Sequence, residues 1–271
     1  MEIRLGLGTL LGLDNHPADL PGWGPVLAED ARLLVERQHA AQWCYVVTDG
    51  DGFLLHTGLL RRRPAGPGAI TPPCRDGVVE IHVRAELLGA LRDRTDLPQR
   101  WAGIVDEIID GYTAGTEDDL DEHPGQRFPG AGLRRYIQVR DRSCVAPGCR
   151  RPARKSDQDH TREYCYGGRT VRSNLEPLCV RHHRMKHRRG WRLDQPEAGR
   201  VRWTSPLGQV QWTRGEPIAP DLPDPIDRPP HPHDPDPGPP VRDLSWPIFL
   251  RPAPPPPEPE PPPPAERPPP F

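Results

Sequence analysis

Residues 144–187 decide the fold of the C-terminal half, with the sequence CVAPGCRRPARKSDQDHTREYCYGGRTVRSNLEPLCVRHHRMKH. Two close pairs of metal-binding side chains flank this stretch, Cys144-x4-Cys149 at its start and Cys179-x2-His182 near its end. Two such pairs separated by a longer loop can build a tetrahedral sulfur and nitrogen site. The segment between them is too small and too charged to bury a core. We therefore predict a structural zinc ion, which can contribute on the order of 10 kcal/mol to folding. The alternative, four unrelated residues, is less favoured.

Side chains suited to cutting a phosphodiester lie between and beside these pairs. A neutral imidazole, with a reference pKa near ~6.5, can take a proton from water. A carboxylate and imidazoles could hold a divalent ion that polarises the phosphate, and His183 and His187, four residues apart, would share one face of a helix. Asn174 can hydrogen-bond the backbone across the intervening loop and fix the base. Taken singly, His160 would be an ordinary histidine and Asn174 a turn or helix cap.

The charge of the chain is unevenly distributed. The formal net charge is −2, but residues 134–189 contain 16 Lys/Arg and five Asp/Glu. This segment therefore carries +11, which leaves −13 for the remainder. Such an excess suits a polyanionic partner, because Lys and Arg displace the counterions condensed on phosphates. The alternative is a solvated basic surface.

The motifs between residues 129 and 212 carry a family resemblance. They are Arg140-Asp-Arg-Ser-Cys144, Cys149-Arg-Arg-Pro-Ala153, Asp159-His160-Thr161, Asn174-Leu175, Leu178-Cys179-x2-His182-His183-x2-Lys186 and Trp203-Thr-Ser-Pro206-Leu-Gly208. With them the segment resembles the HNH endonucleases, whose fold is a ββα-metal unit. It is most similar to actinobacterial HNH proteins with an upstream domain of unknown function. Residues 9–112 resemble the later part of that domain, around Leu10-Leu-Gly-Leu-Asp14 and Gly22-Trp-Gly-Pro25, so the chain is expected to begin partway into it.

The resemblance assigns a role to each residue of the catalytic site. His160 would be the general base. Asp159 and His183 would be ligands of the catalytic ion, and His187 an additional ligand at a position where some relatives have Ser or Thr. Asn174 would brace the loop that carries His160.

The resemblance also implies two kinds of metal ion and a DNA-binding face. Mg²⁺, Mn²⁺ or a similar ion would act in catalysis, leaving 5′-phosphate and 3′-hydroxyl ends. Lys186, Arg184 and Arg188 would contact phosphate oxygens, which gives affinity but little sequence selectivity. The structural Zn²⁺ would be held by Cys144, Cys149, Cys179 and His182.

Upstream of this segment the pattern predicts a mixed, mainly helical domain. Residues 1 to about 25, rich in Gly and Pro, are predicted to be mostly irregular. Helices are predicted over about 27–42, 85–94, 98–112 and 129–142, the last with Leu133, Tyr136 and Ile137 facing inward. A hairpin is predicted over 43–55, a strand over 78–83, and a second hairpin with strands at 191–193 and 201–204.

Proline separates the ordered part of the chain from a tail. Of the 40 prolines, 25 lie in the last 55 positions, and no packed core tolerates that density. We therefore expect a partial N-terminal domain at 1–115, a linker at 116–128, the nuclease domain at 129–215 and a disordered, proline-rich tail at 216–271. The tail is a candidate docking segment for a protein partner, although its one apolar island, residues 246–250, is more simply interpreted as having no role.

No secretory signal or bilayer-length apolar run is visible, so we expect a cytoplasmic protein with no membrane partner. In that compartment six cysteines indicate metal ligands or thiols rather than disulfides. Cys44, Cys74 and Cys165 have no partner at ligand spacing and are expected to be buried or incidental thiols.

The prediction from sequence is therefore an α+β protein in which a mixed, mainly helical domain precedes a small, zinc-stapled ββα-metal nuclease domain and a proline-rich tail. The expected activity is metal-dependent hydrolysis of DNA. One alternative is a non-catalytic zinc module that binds nucleic acid, for which His160 would be dispensable. Another is an interaction protein acting through its N-terminal part and its tail. Both leave Asp159, His160 and Asn174 unexplained and rank lower.

Overall fold

A six-stranded mixed sheet organises the N-terminal part of the chain in the computed structural model. The strands are β1 (Glu2–Gly6), β2 (Ala18–Leu20), β3 (Gly24–Val26), β4 (Gln42–Thr48), β5 (Leu54–Leu60) and β6 (Val78–Arg84). Their order in the sheet is β3-β2-β1-β6-β4-β5, with β1, β6 and β4 parallel and the outer strands antiparallel. The structure describes residues 1–64, 77–92, 94, 97, 99–115, 120–188 and 190–219, all within one compact unit, Met1–Pro225.

Apolar side chains fill the centre of this sheet. Every residue from Trp43 to Thr48 in β4 is buried, as in strands that are covered on both faces. Trp43 stacks on Trp101 with ring centroids 6.3 Å apart, which adds about 1 kcal/mol beyond the area buried. The helices of this part are α1 (Leu7–Leu11), α2 (Ala28–Glu36), α3 (Ala85–Arg92) and α4 (Gln99–Ala114).

The prediction that residues 1 to about 25 are mostly irregular is wrong, and the domain is organised by its sheet rather than mainly by helices. In β1, Ile3 and Leu5 are buried in alternation, and Glu2 pairs with Val78 from far along the chain. Gly12 caps α1 with a φ of +77°, a left-handed conformation that favours glycine. The glycines that suggested an irregular chain therefore separate short elements.

Most of the other predicted elements are confirmed. β4 and β5 form the expected antiparallel hairpin, whose turn is fixed by a 2.8 Å bond from Phe53 N to Asp49 Oδ1. The strand at 78–83 and the helices near 85–94 and 98–112 are present with slightly shifted ends. The helix predicted over 27–42 ends earlier, at Glu36.

A hairpin, a helix and a second sheet form the C-terminal part. Its elements are α5 (Ala131–Asp141), β7 (Asp157–His160), β8 (Leu175–Leu178), α6 (Val180–Arg188), β9 (Arg192–Glu197), β10 (Arg200–Thr204) and β11 (Val210–Arg214). β7 and β8 are antiparallel and α6 follows β8 directly. β9 and β10 form the predicted second hairpin, and β11, which was not predicted, completes a three-stranded antiparallel sheet.

Helix α5 joins the two parts. Leu133, Tyr136 and Ile137 face inward as predicted and pack with Leu175 of β8 and with the partly buried Leu54 of β5. At the C-terminal end of the same helix, the Arg142 guanidinium donates to the buried carboxylate of Glu80 in β6 at 2.6 and 2.9 Å. The helix therefore fixes the C-terminal hairpin relative to the sheet.

Part of the sequence-based expectations falls outside the described residues. The expected proline-rich tail lies outside the described residues from residue 220 onward, including its apolar island at 246–250. Cys74 also lies outside them. Before that point Ile218 N donates to Gly52 O at 2.7 Å. None of the helices within the described ranges has the length and apolarity needed to cross a bilayer.

Candidate metal centres

The four predicted zinc ligands come together in one cluster. The sulfur atoms of Cys144, Cys149 and Cys179 and a ring nitrogen of His182 lie within 4.8 Å of one another. His182 Nδ1 is 3.4 Å from Cys144 Sγ and 3.3 Å from Cys179 Sγ. A tetrahedral ion with bonds of about 2.3 Å to sulfur and about 2.0 Å to nitrogen separates such atoms by about 3.5 Å. This four-residue cluster, the cysteine cluster, can therefore hold a metal ion.

A tight turn and a buried tryptophan position the cysteine cluster. Cys149 N donates to Ala146 O at 2.9 Å, and the turn passes through Gly148, whose φ of +70° suits glycine. Trp203 is fully buried beneath the turn and donates from Nε1 to Val145 O at 3.1 Å. The second ligand pair spans the start of α6, so the cluster ties this helix to the loop after α5.

The ionisation of the cluster suits metal binding. Burial raises the pKa of the Cys144 thiol to about 12, so the thiolate needs a compensating cation. Burial also acts to raise the pKa of Cys179, but hydrogen bonds from the His182 backbone and the Cys144 side chain outweigh it and lower that pKa. Burial, with Arg181 nearby, lowers the pKa of His182 and favours the neutral imidazole, which is the form that binds metals.

A second cluster joins Asp159 of β7 to His183 and His187 of α6. One ligand atom from each lies within 4.8 Å of the others. His183 Nε2 is 3.4 Å from Asp159 Oδ1, and His187 Nε2 is 3.5 Å from Asp159 Oδ2. A tetrahedral ion about 2.1 Å from oxygen and nitrogen separates its ligand atoms by about 3.4 Å. These three residues, the aspartate–histidine cluster, therefore have the spacing of a three-ligand metal site.

The hairpin and the helix explain how these three residues meet. Asp159 pairs with Glu176 across the two strands, and α6 begins two residues after β8 ends. His183 and His187 share one face of α6, as their spacing predicted, with ring centroids 4.8 Å apart. Each histidine side chain is 34% exposed, so the cluster opens to solvent on the side of the helix.

Lys186 is buried, which does not fit the phosphate contact expected for it. Its side chain is 5% exposed, and Nζ donates to Asp159 Oδ2 at 2.8 Å and to His160 O. Glu176 Oε1 lies 3.6 Å from the same nitrogen. Burial raises the pKa of Glu176 to about 8, and the Lys186 ammonium opposes that shift. Lys186 follows His183 by three residues and so points towards the hairpin, where it fixes the Asp159 carboxylate.

The two arginines expected beside it are placed differently. Arg184 and Arg188 are exposed on α6, where they border a surface pocket together with Val180, Arg181 and Met185. Their contact with nucleic acid stays a prediction.

His160 ends β7 beside the aspartate–histidine cluster and is 8% exposed. Its Nε2 lies 2.8 Å from Thr170 Oγ1, and that hydroxyl donates its single proton to Gln126 O. Because a carbonyl oxygen only accepts, Thr170 must accept from His160 Nε2–H, which leaves a lone pair on Nδ1. Burial lowers the pKa of His160, against a smaller opposite effect of Asp159. At neutral pH this imidazole therefore offers Nδ1 as a proton acceptor.

Asn174 clamps the loop that follows His160. Its Oδ1 accepts from Arg162 N at 2.8 Å, and its Nδ2 donates to Arg162 O at 3.1 Å and to Arg169 O at 2.8 Å. Gly168 lies inside this clamp, where an added Cβ would come within 1.8 Å of Arg162 O. The backbone contacts predicted for the Asn174 amide are therefore present, and the loop closes only around a glycine.

Three further residues lie at the site, although no motif in the sequence assigns them a role. They are Thr170, Asp157 and Glu163, and they contact His160, His183 and His187, respectively. The described part of the expected linker, residues 120–128, also takes part, since Gln126 O accepts from Thr170 and Asp121 binds the backbone of Arg172. These roles arise from loop closure, and no spacing in the sequence marks them.

Comparison with known proteins finds relatives of part of the chain. The chain is 40% identical over 150 residues to "Uncharacterized protein Rv2100" of Mycobacterium tuberculosis (strain ATCC 25618 / H37Rv) and to "Uncharacterized protein MT2160" of strain CDC 1551 / Oshkosh. Each of these two matches covers 54% of this chain and 26% of the relative. It is 38% identical over 117 residues to "Uncharacterized protein Rv3776" of strain ATCC 25618 / H37Rv, which covers 41% of this chain and 22% of the relative. No protein-family model matches the chain, and no solved structure gives a significant match. The matched region thus spans about a quarter of the length of these relatives, and the chain is similar to them over that part.

Proposed function

We propose that residues 129–215 form an HNH endonuclease of the ββα-metal type, which hydrolyses DNA phosphodiester bonds with the help of a divalent ion. The observation that carries the proposal is the convergence of Asp159, His183 and His187, with His160 next to Asp159 at the end of β7. An antiparallel hairpin followed by a helix supplies these four residues. One small unit therefore offers candidate ligands for a metal ion next to a histidine that could act as the base.

The donor set fits a divalent ion with affinity for nitrogen. Two imidazoles and one carboxylate suit Zn²⁺, Ni²⁺, Fe²⁺ or Mn²⁺ better than Mg²⁺, which prefers oxygen ligands. When bound, such an ion would neutralise charge on the phosphate and stabilise the leaving oxygen. Three protein ligands leave at least one position for substrate or water.

The chain's own residues supply the remaining chemistry. His160 accepts the proton of the attacking water at Nδ1, and Thr170 holds the ring in the tautomer that makes this nitrogen the acceptor. Asn174 keeps the loop after His160 closed. Lys186 holds Asp159 in place from the buried side of the site.

The cysteine cluster fits a structural zinc ion. Its three sulfurs and one imidazole complete a tetrahedron, which leaves no position for substrate. The ion would fasten the start of α6 to the loop after α5, and α6 also carries two ligands of the aspartate–histidine cluster.

The basic charge of this part supports DNA as the substrate. Residues 134–189 carry a formal excess of +11, and Arg184 and Arg188 are exposed on α6 near the ligands. A non-catalytic zinc module would explain the cysteine cluster and the basic charge. It would leave the hydrogen bonds that orient His160 and Asn174 without a role, which is why we favour the enzyme.

Cleavage of supercoiled plasmid tests the proposal. Purified protein is incubated with EDTA, Mg²⁺, Mn²⁺ or Ni²⁺, beside His160→Ala. The variant should lose about 10²- to 10⁴-fold in rate, because a general base contributes that much. His123→Ala is the matched control, because this histidine side chain is 61% exposed. Within the described part of the chain, the ion pair that involves its ring is with Glu122, at 3.7 Å.

The outcomes separate the candidate functions. Cleavage that needs added metal and disappears only in His160→Ala supports the enzyme. Equal cleavage by the wild type and His160→Ala would mean a contaminating nuclease or a wrong base. Absence of cleavage in every metal, with zinc bound and DNA retained, would favour the binding module.

A further inference from the structure

Two carboxylates hold the outer nitrogens of the histidines in the aspartate–histidine cluster. His183 Nδ1 lies 2.9 Å from Asp157 Oδ2, and His187 Nδ1 lies 2.9 Å from Glu163 Oε1. Asp157 begins β7, whereas Glu163 lies in the loop after β7. Two separate segments thus make the same contact with two successive turns of α6.

These contacts fix where each histidine carries its proton. A deprotonated carboxylate can only accept hydrogen bonds. The Nδ1 atoms of His183 and His187 must therefore be the donors, and in a neutral imidazole the lone pair then lies on Nε2. His160 has the opposite arrangement, because Thr170 takes the proton on its Nε2.

The lone pairs of the two histidines converge on one carboxylate. Asp159 presents Oδ1 to His183 Nε2 at 3.4 Å and Oδ2 to His187 Nε2 at 3.5 Å. With both rings neutral, two Nε2 lone pairs and two carboxylate oxygens face one another with no proton between nitrogen and oxygen. Lys186 donates to one of these oxygens, Oδ2, and a metal ion bound by the Nε2 atoms and Asp159 would relieve the repulsion that remains.

We propose that Asp157 and Glu163 are positioning residues of the metal site, which hold His183 and His187 in the Nδ1–H tautomer so that both Nε2 atoms face the ion beside Asp159. This inference rests on the proposed function, in which the aspartate–histidine cluster binds a divalent ion. Hydrogen-bonded carboxylates behind metal-binding histidines raise ligand basicity and restrict ring rotation. Their loss typically lowers metal affinity by about 10- to 100-fold.

The competing explanation is that both contacts are surface ion pairs without effect on the site. Asp157 and Glu163 side chains are 53% and 31% exposed, and most exposed pairs contribute little to stability. The two explanations differ in what they predict for the histidine rings. A surface ion pair can be removed without changing the tautomer or the metal affinity.

Nitrogen NMR of the full chain, with zinc in the cysteine cluster and no other metal, reads the tautomers directly. Long-range ¹⁵N–¹H spectra above pH 7.5 distinguish Nδ1–H from Nε2–H rings, and His183→Asn and His187→Asn assign the signals. We expect Nδ1–H for His183 and His187 and Nε2–H for His160. This measurement needs no variant of either carboxylate, so it holds even if such a variant folds poorly.

The substitutions Asp157→Asn and Glu163→Gln then test each contact separately. Asp157→Asn should change the tautomer of His183 alone, and Glu163→Gln that of His187 alone. In calorimetric titrations of the zinc-loaded protein with Co²⁺, each variant should bind about 10- to 100-fold more weakly than the wild type. Matched controls are Asp194→Asn and Glu197→Gln, which remove exposed carboxylates paired with Arg202 and Arg200 on β10.

The results decide between the explanations. Changed tautomers together with weakened Co²⁺ binding, absent from both controls, support the positioning role. Nε2–H rings at His183 and His187 in the wild type, or variants that bind Co²⁺ as tightly as the wild type, overturn it. Failure of the proposed function is a different result, namely a wild type with the expected tautomers and Co²⁺ affinity that does not cut DNA in any metal.

Discussion

The cysteine cluster and the aspartate–histidine cluster share one helix but are built in different ways. The cysteine cluster has four ligands and rests on the fully buried Trp203. The aspartate–histidine cluster has three ligands, opens to solvent and is surrounded by hydrogen-bonded polar groups. Consecutive residues of α6 serve the two, since His182 belongs to the first cluster and His183 to the second.

The difference matches a structural role for the cysteine cluster and the proposed catalytic role for the aspartate–histidine cluster. Four protein ligands fill a tetrahedral ion and leave it inert, whereas three leave a position open. Because neighbours on a helix point about 100° apart, the first turn of α6 can direct one histidine to each side. The cysteine cluster therefore positions the helix that carries half of the proposed active site, and damage should spread from it to the other cluster but not in reverse.

The largest expected effect follows from breaking the cysteine cluster. In Cys179→Ser the C-terminal part should lose its zinc and its fixed tertiary structure, because such an ion contributes on the order of 10 kcal/mol. That exceeds or equals the whole stability of many domains, about 5–15 kcal/mol. Zinc content and tryptophan fluorescence during thermal unfolding measure the loss.

Two controls sharpen this test. Cys165→Ser changes an exposed thiol outside both clusters and should leave zinc content and melting temperature unchanged. His187→Asn, in the half-exposed cluster, should lower the melting temperature by only a few degrees and retain one zinc per chain. A Cys179→Ser protein that melts like the wild type would refute the structural role of the cluster.

An intermediate effect is expected from the buried ion pair between Lys186 and Asp159, behind the aspartate–histidine cluster. Lys186→Met keeps the aliphatic stem but leaves the Asp159 carboxylate without its ammonium partner, and it removes the charge that opposes the raised pKa of Glu176. Removing one member of a buried pair costs about 3–5 kcal/mol, which denaturant unfolding measures.

Arg184→Ala on the exposed side of the same helix is the comparison for that variant. It should change the free energy of unfolding by less than about 0.5 kcal/mol and reduce the salt dependence of DNA binding by roughly one phosphate contact. If Lys186→Met instead weakened DNA binding and left the free energy of unfolding unchanged, the result would favour the phosphate contact that the resemblance implied for Lys186.

Local patterns in the sequence were enough to predict much of this arrangement. The hairpin at β4 and β5 and the inner face of α5 follow from spacing over a few residues, as does the shared face of His183 and His187. The cysteine cluster was also predictable, because ligand pairs at short spacing need only one loop closure to meet. Each of these patterns is set by short spacings along the chain, whatever more distant residues the element then packs against.

Features that depend on distant partners were missed. β1 is a strand because it pairs with β6, with Glu2 opposite Val78. The short sequence of β1, which ends in glycine, gives little sign of this pairing. Lys186 is buried because Asp159 and Glu176 lie side by side across β7 and β8. Helical periodicity places Lys186 on one face of α6, but it does not show that Asp159 and Glu176 lie on that side.

A smaller loss of activity than in His160→Ala is expected at Thr170, the residue whose role was least visible in the sequence. Thr170→Val keeps the shape of the side chain but removes the hydroxyl that links His160 Nε2 to Gln126 O. The His160 ring would then lose the contact that holds Nδ1 as the acceptor, and plasmid cleavage should slow by about 10- to 100-fold, since a well-placed base contributes about 10²- to 10⁴-fold.

Thr170→Ser retains the hydroxyl and should cleave at close to the wild-type rate. Because neither cluster loses a ligand, zinc content and Co²⁺ affinity should stay constant in both variants, while the ¹⁵N spectrum of His160 should change only in the valine variant. Equal cleavage by the valine and serine variants would show that the tautomer of His160 is set by something other than Thr170.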